Sequence, residues 1–380
     1  MEREEPLGPV LVTGADGFIG RNLTAELRAR GQTAFCCTRK TSSQRLRKWA
    51  TRCQAVIHLA GCCRPKDPQE YWTNNLAFTE TLTGLLLERG KPCPVLFASS
   101  VQAQSGSAYG GCKLAEEQAL CRYAWKSGSP VHIFRLPGVF GKWSRPDYNS
   151  VVATFCHRAA RGEALQVLED RMLTLCYIDD VVNRFLEVLQ TPPQSPFAEV
   201  KPVYQISVAK LAETIASFGQ LCEKQIPDLR DELIRKLYST YQSFLPMQRL
   251  CRDLTAHTDA RGMFAEFVRT PGCGQISVNR CGPGVRKGGH WHRTKHERFL
   301  VTAGSGVIRL RRVGEQEIHR WYVHARYPQV LSIPPGYVHD IRNTGMGDLV
   351  FVIWADENYD ENTPDTIREA VDMEEIQERS

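Results

Sequence analysis

Tyr109 and Lys113 have the residue types and the spacing of a proton-donating pair. On a helix, positions i and i+4 share one face, so the phenol and the ammonium could reach one substrate. Hydride delivery to a ketone leaves an alkoxide that must take a proton, and a neighbouring cation helps a tyrosine by stabilising its phenolate. Ser100, at the end of an apolar segment, could hold the carbonyl oxygen by a hydrogen bond. By itself, a Tyr-x-x-x-Lys pair is more often a pair of surface residues on a helix.

The segment 13–20 carries glycines spaced TGxxGxxG between an apolar run and a helical pattern, which is the context of a dinucleotide site. Glycines there let backbone N–H groups approach a pyrophosphate and let the helix pack near the strand. The helix N-terminus adds partial positive charge. The sequence predicts a dinucleotide site contacted by Gly14, Asp16, Gly17, Phe18, Ile19 and Gly20.

Arg39 and Lys40 follow the second apolar segment, where an NAD enzyme usually carries Asp or Glu to bind the ribose 2′-hydroxyl. No acidic residue stands at this point, and two cations do. Because cations would pair with a 2′-phosphate, the sequence favours NADP(H) over NAD. The alternative is a solvated basic loop.

A second group of chemically capable residues lies near the C-terminus. His290 and His292 are two residues apart, so their side chains point the same way on a strand. We expect Glu297 and His339, from neighbouring strands, to complete a set of three nitrogens and one carboxylate. Such a set suits Zn, Fe, Mn or Ni, and the spacing does not choose among them. The alternative is that these are ordinary core or surface residues.

Composition narrows the class of protein. The chain has 380 residues, which favours two domains. The net charge of +6 is modest and is not gathered into a basic block, which suits a phosphate-bearing ligand better than nucleic acid. The 14 cysteines are scattered without a Cys-x-x-Cys motif. The acidic N-terminus does not resemble a secretory signal, and no stretch of the sequence is long and apolar enough to predict a membrane span. These features predict a cytoplasmic enzyme with reduced cysteines.

The first half of the chain alternates strand-like and helix-like segments, which predicts a parallel sheet covered on both faces. The expected strands are 9–13, 33–38, 55–60, 95–99 and 131–136, and the expected helices include 19–30, 75–89 and 113–125. The segment 207–241 is expected to be helical and to belong to the same domain. We place the domain boundary between Pro246 and Met247, giving domains 1–246 and 247–380.

Beyond that boundary, short segments of alternating residues are separated by Gly, Pro and Asn. The segments 305–311, 330–334 and 349–354 are typical of strands, which predicts an antiparallel β-barrel or sandwich. The last residues, 364–380, are acidic and are expected to form a surface helix or tail.

The order and spacing of the motifs in the first half resemble the extended short-chain dehydrogenase/reductase family. The resemblance covers residues 9–244 and implies a Rossmann fold acting on nucleotide-linked sugars, with Asn75 supporting Lys113 through a water. It also implies that Leu59, Ala60 and Lys113 contact the dinucleotide. One departure is Gly138, where related enzymes often have Asn. Besides the glycine turn and the Tyr109–Lys113 pair, the matching residues are His58-Leu59-Ala60-Gly61, Asn75, Ser99-Ser100, Arg135-Leu136-Pro137, Phe140-Gly141 and Tyr177-Ile178-Asp179-Asp180-Val181.

The two histidine motifs resemble those of cupins, which implies a metal-binding jelly-roll barrel over residues 255–354. Within this part, the stretch 259–266, which includes Arg261, resembles the opening of cupin-type epimerases that act on 4-keto-6-deoxy nucleotide sugars. Arg261 could equally be a structural salt-bridge residue. His296 falls off the ligand positions of the first motif.

The order of the whole chain resembles the bifunctional capsular polysaccharide enzymes that make UDP-2-acetamido-2,6-dideoxy-L-talose, the precursor of UDP-N-acetyl-L-fucosamine. The resemblance implies C3 epimerisation in the cupin, C4 reduction in the Rossmann domain, a bound zinc and a homodimer. The substrate would be a UDP-linked 4-keto-6-deoxy amino sugar, although the residues do not distinguish UDP from dTDP. Two alternatives stay open: a reductase or epimerase whose cupin only binds sugar or stabilises a dimer, and a non-enzymatic nucleotide-sugar sensor.

Overall fold

The computed structural model describes residues 8–148, 150–222 and 224–372. These residues form two compact units. The first contains the described residues up to Gly219 together with Lys236–Pro246, and the second contains the described residues of Gln220–Arg235 together with those from Met247 onwards.

The first unit alternates strands and helices as the sequence predicts. Its elements in chain order are β1 Val10–Thr13, α1 Phe18–Ala29, β2 Ala34–Cys37, α2 Ser43–Arg52, β3 Ala55–His58, α3 Gln69–Tyr71, the π-helical turn Trp72–Leu76, α4 Ala77–Glu88, β4 Val95–Ser100, the 3-10 turn Val101–Gln104, α5 Ala108–Ser127, β5 Val131–Leu136, β6 Gly138–Phe140, α6 Val151–Ala159, β7 Met172–Tyr177, α7 Ile178–Gln190, β8 Tyr204–Ser207, α8 Val208–Gln220 and α9 Glu232–Gln242.

The main sheet of this unit has the order β2-β1-β3-β4-β5, and every pairing in it is parallel. All residues of β1 and β3 are buried, because a parallel sheet is covered by helices on both faces. Strands β6, β7 and β8 form a separate small sheet. The predicted α/β domain of the Rossmann type is confirmed.

The segment 207–241 is helical at both ends, as predicted, and the prediction was wrong for the part between the two helices. Helix α8 ends at Gln220, and α9 begins at Glu232. The chain between them joins the second unit instead of the first, because it adds to a strand edge. The backbone N–H of Ile226 donates to the carbonyl of Arg269, and the N–H of Arg269 donates to the carbonyl of Lys224.

The second unit is built from antiparallel strands, as the short alternating segments predict. Its elements are the 3-10 turn Met247–Arg249, β9 Ala256–Asp259, β10 Gly262–Thr270, β11 Gly274–Cys281, β12 Arg286–Trp291, β13 Glu297–Ala303, β14 Ser305–Arg312, β15 Ile318–His324, β16 Val330–Ile333, β17 Tyr337–Asn343, β18 Leu349–Ala355 and β19 Ile367–Arg368.

Two sheets enclose the core of this unit, with the orders β16-β13-β18-β11-β10-β9 and β15-β14-β17-β12-β19. Apolar side chains from both sheets form one cluster, in which the Phe299 and Phe351 rings stack at 5.8 Å. The predicted all-β domain of the cupin type is confirmed.

The prediction of a surface helix or tail for residues 364–380 was wrong for the described part. Ile367 and Arg368 pair as a strand with β12, and Val371 is buried. This segment covers part of the basic face of β14, where Arg311 is only 1% exposed. Residues 373–380 lie outside the described part of the chain. Within that part, no helix combines the length and the apolar character needed to cross a bilayer.

Candidate functional site

A cleft of about 1810 Å³ lies in the first unit, above the carboxyl ends of the parallel strands. It brings together the predicted dinucleotide and catalytic residues, with one exception: Lys40 is not part of its lining. The predicted residues that line the cleft are Gly14, Asp16, Gly17, Phe18, Ile19, Gly20, Arg39, Leu59, Ala60, Asn75, Ser100, Tyr109 and Lys113.

Close approaches of the backbone require glycine at two positions of the turn, Gly14 and Gly20. Gly14 has φ +66, and a Cβ there would lie 2.8 Å from the backbone nitrogen of Ala60. A Cβ at Gly20 would lie 2.1 Å from the Gly14 carbonyl oxygen, so only glycine lets α1 pack against the turn. Gly17 precedes the first helical residue, and the N-terminus of α1 therefore points its unpaired N–H groups at the cleft lining.

A buried hydrogen-bond chain supports this turn. The hydroxyl of Thr13 accepts hydrogen bonds from the backbone N–H groups of Leu59 and Ala60, each at 3.1 Å. The same oxygen lies 2.7 Å from Nδ1 of His58, and Nε2 of His58 lies 2.9 Å from the Thr79 hydroxyl. Burial, together with the nearby positive charge of Lys113, lowers the pKa of His58 to about 3. His58 is therefore a neutral structural link.

Tyr109 and Lys113 lie on α5 because the start of that helix is fixed. Ser107 is the N-cap, with its hydroxyl accepting from the N–H of Gly110 at 3.0 Å, and Gly128 ends the helix at φ +67. Tyr109 thus falls in the first turn, one turn before Lys113. The Lys113 Nζ lies 6.0 Å from the centroid of the Tyr109 ring.

The surroundings of Tyr109 raise its pKa, whereas a neighbouring lysine alone would be expected to stabilise the phenolate. Burial raises the pKa of Tyr109 above its ordinary value, and the neighbouring Cys63 and Glu116 raise it further. A tyrosine held in the protonated form suits a proton donor.

Glu116 is the residue that the sequence reasoning missed. Its carboxylate is fully buried, lies 3.1 Å from the Lys113 Nζ and accepts a hydrogen bond from Thr79 at 3.0 Å. The chain from Thr13 through His58 and Thr79 therefore continues to Lys113. The signal was available in the sequence, since a carboxylate three residues after a lysine shares its helix face.

Ser100 and Asn75 flank the pair from other elements. Ser100 ends β4, lines the cleft and accepts a hydrogen bond from the N–H of Gln102 at 3.2 Å. Asn75, in the π-helical turn, exchanges two hydrogen bonds with the backbone of Cys62. A Cβ at Gly61 would lie 3.4 Å from the Lys113 Nζ and 3.9 Å from the Asn75 Oδ1, so both side chains border Gly61.

Two further positions of the first unit were singled out from the sequence, Gly138 and Lys40. Neither adds a contact to Ser100, Tyr109 or Lys113. Gly138 lines the cleft, and a Cβ at this position would lie 3.0 Å from Leu175 Cδ2. A side chain there therefore needs a small shift of Leu175. Arg39 and Lys40 are both exposed, and Arg39 is the one at the cleft.

The second unit brings the four predicted metal ligands into one cluster. One donor atom from each of His290, His292, Glu297 and His339 lies within 4.8 Å of the others. Glu297 Oε2 is 3.1 Å from His339 Nε2 and 3.6 Å from His292 Nε2. Among the described residues, these three buried atoms lack any hydrogen-bond partner. Buried polar atoms without partners are costly, so convergent ones fit a metal ion.

The elements that carry these ligands differ in one respect from the prediction. His290 and His339 pair across β12 and β17 in one sheet, with a bulge between Gly288 and His290. Glu297 begins β13, which belongs to the facing sheet, so it does not come from a neighbouring strand. The ligand set therefore spans the interior between the two sheets.

The other ring nitrogens of two histidines face backbone carbonyls. Nδ1 of His339 lies 3.2 Å from the Tyr337 oxygen, and Nδ1 of His292 contacts the Asp365 oxygen. An Nδ1–H donor in each ring leaves Nε2 as a lone-pair donor toward the cluster. Burial raises the pKa of the Glu297 carboxyl, but the nearby His292 and His339 rings outweigh burial and hold that pKa below its usual range. The donor set is therefore ready to bind a cation.

In the stretch 259–266, which resembles cupin-type epimerases, Arg261 pairs with a residue outside the metal-ligand cluster. Arg261 and Asp259 form an exposed ion pair at 2.6 Å in the turn between β9 and β10. Arg261 therefore has an acidic partner within its own turn. His296 contacts Asp356 and the Trp354 ring and is not one of the four clustered residues.

Each of the two units matches a known protein family. Residues 10–200 match the NAD dependent epimerase/dehydratase family, and residues 257–367 match the polysaccharide biosynthesis C-terminal domain. The chain is 40% identical over 362 residues to UDP-2-acetamido-2,6-beta-L-arabino-hexul-4-ose reductase of Pseudomonas aeruginosa, covering 94% of this chain and 97% of that protein.

Solved structures share the fold of this chain over nearly its whole length or over part of it. The capsular polysaccharide assembling protein CapF from Staphylococcus aureus superposes with a TM-score of 0.88 at 38% identity, covering 95% of this chain and 99% of that one. A UDP-glucose 4-epimerase from Thermotoga maritima shares the fold over 64% of this chain, with 100% of its own length covered, a TM-score of 0.56 and 19% identity. The chain belongs to the NAD dependent epimerase/dehydratase family and is a member that carries a polysaccharide biosynthesis C-terminal domain.

Proposed function

We propose that the first unit is an NADPH-dependent reductase of a nucleotide-linked 4-keto-6-deoxy sugar. The observation that carries this proposal is that one cleft is lined by the glycine turn and by Ser100, Tyr109 and Lys113. The extensive identity to a UDP-sugar reductase supports the same substrate class. Arg39 at the cleft supports NADPH, because its guanidinium suits a 2′-phosphate.

Each residue of this group has a separate task in the proposed reaction. When bound, NADPH supplies the hydride that reduces the C4 carbonyl carbon. Ser100 donates a hydrogen bond to the carbonyl oxygen, and Tyr109 gives that oxygen its proton. Lys113 stabilises the phenolate that Tyr109 becomes, while the backbone around Gly14 and the start of α1 hold the pyrophosphate.

We propose that the second unit epimerises C3 of the same 4-keto sugar before reduction. A 4-keto group makes the C3 proton acidic, so removal and return of that proton on the other face inverts the centre. His290, His292, Glu297 and His339 would hold one divalent metal, for which we propose zinc, and the metal would supply Lewis-acid stabilisation of the enolate or brace the barrel. The product of both steps would be UDP-2-acetamido-2,6-dideoxy-L-talose, the precursor of UDP-N-acetyl-L-fucosamine.

One observation favours a second candidate, a reductase whose metal-binding unit only binds sugar or stabilises a dimer. The Pseudomonas aeruginosa relative is named for a reductase activity alone. A Tyr109→Phe variant distinguishes the two candidates, because it lacks the proton donor of the reduction step and keeps the second unit intact. Exchange of the C3 proton by this variant would favour the epimerase, and absence of exchange would favour the second candidate. We also propose a cytoplasmic homodimer whose chain has one domain at 1–246 and the other at 247–380.

The test of the reductase is NADPH oxidation by the purified protein with UDP-2-acetamido-2,6-dideoxy-4-hexulose. We expect wild-type protein to consume NADPH and the Tyr109→Phe variant to be slower by about 10²- to 10⁴-fold, the usual contribution of a general acid. Unchanged circular dichroism would show that the variant is folded. A folded Tyr109→Phe variant with wild-type rate would refute the assigned role. A folded wild-type protein that oxidises no NADPH in the presence of the 4-keto sugar would exclude this substrate class.

A further inference from the structure

Residues 364–372, which we name the C-terminal strap, make most of their described contacts beside the metal-ligand cluster. We propose that the strap is a positioning element that orients the imidazoles of His290 and His292 and so sets the affinity of the second unit for its metal. This inference rests on the proposed metal site and concerns residues that do not themselves bind the ion.

The first contact is with the ring of His292. Its Nδ1 faces the main-chain oxygen of Asp365, and its Nε2 faces Glu297 at 3.6 Å. An N–H donated to that oxygen selects the tautomer whose Nε2 carries the lone pair. Such partners of a metal-ligating histidine commonly change metal affinity by about 10- to 100-fold when they are removed.

The second contact fixes the turn that joins two of the ligands. The carboxylate of Asp365 accepts hydrogen bonds from the backbone N–H groups of Arg293, Thr294 and Lys295 at 2.9, 3.0 and 3.1 Å. These three residues connect His292 to the segment that leads into Glu297. One carboxylate therefore sets the spacing between two donor side chains, and these bonds hold its pKa well below the ordinary range although burial raises it.

The third contact fixes the backbone at the other histidine. His290 pairs with Arg368 and Trp291 with Ile367, and the N–H of Glu369 donates to the Gly289 carbonyl at 3.1 Å. These bonds lie beside the bulge between Gly288 and His290. A bulge re-aims the following side chain, so a second strand at this point limits the directions that His290 can take.

The strap is anchored by a buried side chain away from the ligands. Arg311 is 1% exposed, and its guanidinium binds the Glu369 carboxylate at 2.5 Å and the carbonyls of Ala370 and Val371 at 3.0 and 2.8 Å. Val371 is also 1% exposed. The strap is therefore held in place by contacts that do not depend on a metal, as expected of an element that pre-organises a site.

The experiment compares zinc affinity of the full-length wild type with that of Asp365→Ala, by competition with a chromophoric chelator. The matched control is Asp360→Ala, which removes an exposed carboxylate that hydrogen-bonds Asn362 and Thr363 in the preceding turn. Asp365→Ala removes the carboxylate that fixes the turn between His292 and Glu297, but it keeps the main-chain oxygen that faces His292. We therefore expect a loss of about 10-fold for Asp365→Ala, the lower end of the usual range for such partners, and a change of less than about 2-fold for the control. Asp365→Asn keeps one acceptor oxygen, so we expect it to recover part of the affinity.

Two further readouts separate positioning from a purely structural role. Cobalt(II) absorption reports the ligand geometry, and we expect an altered spectrum only in Asp365→Ala. Denaturant unfolding of the metal-free proteins should show that this variant is folded. Wild-type zinc affinity in Asp365→Ala, or loss of affinity only because its metal-free form is unfolded, would overturn the inference. A wild type that binds neither ion would refute the metal site itself, whereas absent epimerisation with reduced zinc affinity would leave the inference standing.

Discussion

The Lys113 Nζ lies 3.1 Å from a carboxylate oxygen of Glu116, and both side chains are almost completely buried. Lys113 is therefore held between a carboxylate and the Phe97 ring, whose centroid is 4.7 Å away. A charge in such a place is retained only with its partner, since an uncompensated buried charge is costly. The pair fixes the position of the proposed catalytic lysine relative to Tyr109.

Removal of this carboxylate should destabilise the protein. In Glu116→Gln, the hydrogen bond from Thr79 can persist while Lys113 loses its charge partner. We expect the free energy of unfolding to fall by about 3–5 kcal/mol, the usual effect of breaking a buried pair. Denaturant unfolding measures this. Glu80→Gln is the matched control, because its exposed pair with Arg122 at 3.8 Å should contribute less than about 1 kcal/mol.

The same variant should change the pH dependence of reduction. Burial and the neighbouring Cys63 and Glu116 raise the pKa of Tyr109. Tyr109 must be protonated to donate a proton to the substrate oxygen. Activity is therefore present below that pKa and is lost as the pH rises through it. In Glu116→Gln the pKa of Tyr109 should fall, and the alkaline decline of kcat/KM should move to lower pH. An unmoved or upward-shifted limb, measured in NADPH oxidation against Glu80→Gln, would count against this electrostatic account.

Arg39 should determine cofactor preference. Arg39→Ser removes a guanidinium from the cleft, and a hydrogen bond to a charged group contributes about 1.5–3 kcal/mol. We expect KM for NADPH to rise by roughly 10- to 150-fold, with little change for NADH. Lys40→Ser is the control, since Lys40 is outside the cleft lining, and it should have a much smaller effect. Equal effects on both cofactors would argue that Arg39 does not contact a 2′-phosphate.

Metal binding should stabilise the second unit through the clustered histidines. Zinc added to chelator-treated wild type at 100 times its Kd should raise the free energy of unfolding by about 2.7 kcal/mol. His339→Gln should abolish most of this gain, because it removes one of the four clustered donors. His296→Gln is the matched control and should keep it, as His296 is outside the cluster. Loss of the gain in both variants would indicate an indirect effect on folding.

Local spacing was sufficient to predict the residues that share one element. The glycines of the turn and the Tyr109–Lys113 pair each lie within a single strand-helix junction or helix, where sequence distance fixes direction. Glu116 met the same condition and could have been predicted from its position one turn after Lys113. Its burial could not, because that depends on α4, which brings Thr79 against it.

Non-local pairings were the part that the sequence did not reveal. Residues 364–372 look like a solvated tail by composition, yet Ile367 and Arg368 add to β12, and Val371 is buried and accepts a hydrogen bond from Arg311 of β14. The alternating basic residues of β14 gave no sign of this, since alternation is equally typical of an exposed face. The facing-sheet origin of Glu297 was likewise hidden, because motif spacing specifies the ligands but not the strand order.

The most direct test of the whole account is the reaction of purified protein with NADPH and UDP-2-acetamido-2,6-dideoxy-4-hexulose in deuterated water, followed by NMR of the product. We expect oxidation of NADPH together with a C4-reduced sugar that carries deuterium at C3. A reduced sugar with no deuterium at C3 would contradict the proposed epimerisation and leave a reductase with a metal-binding unit of another role.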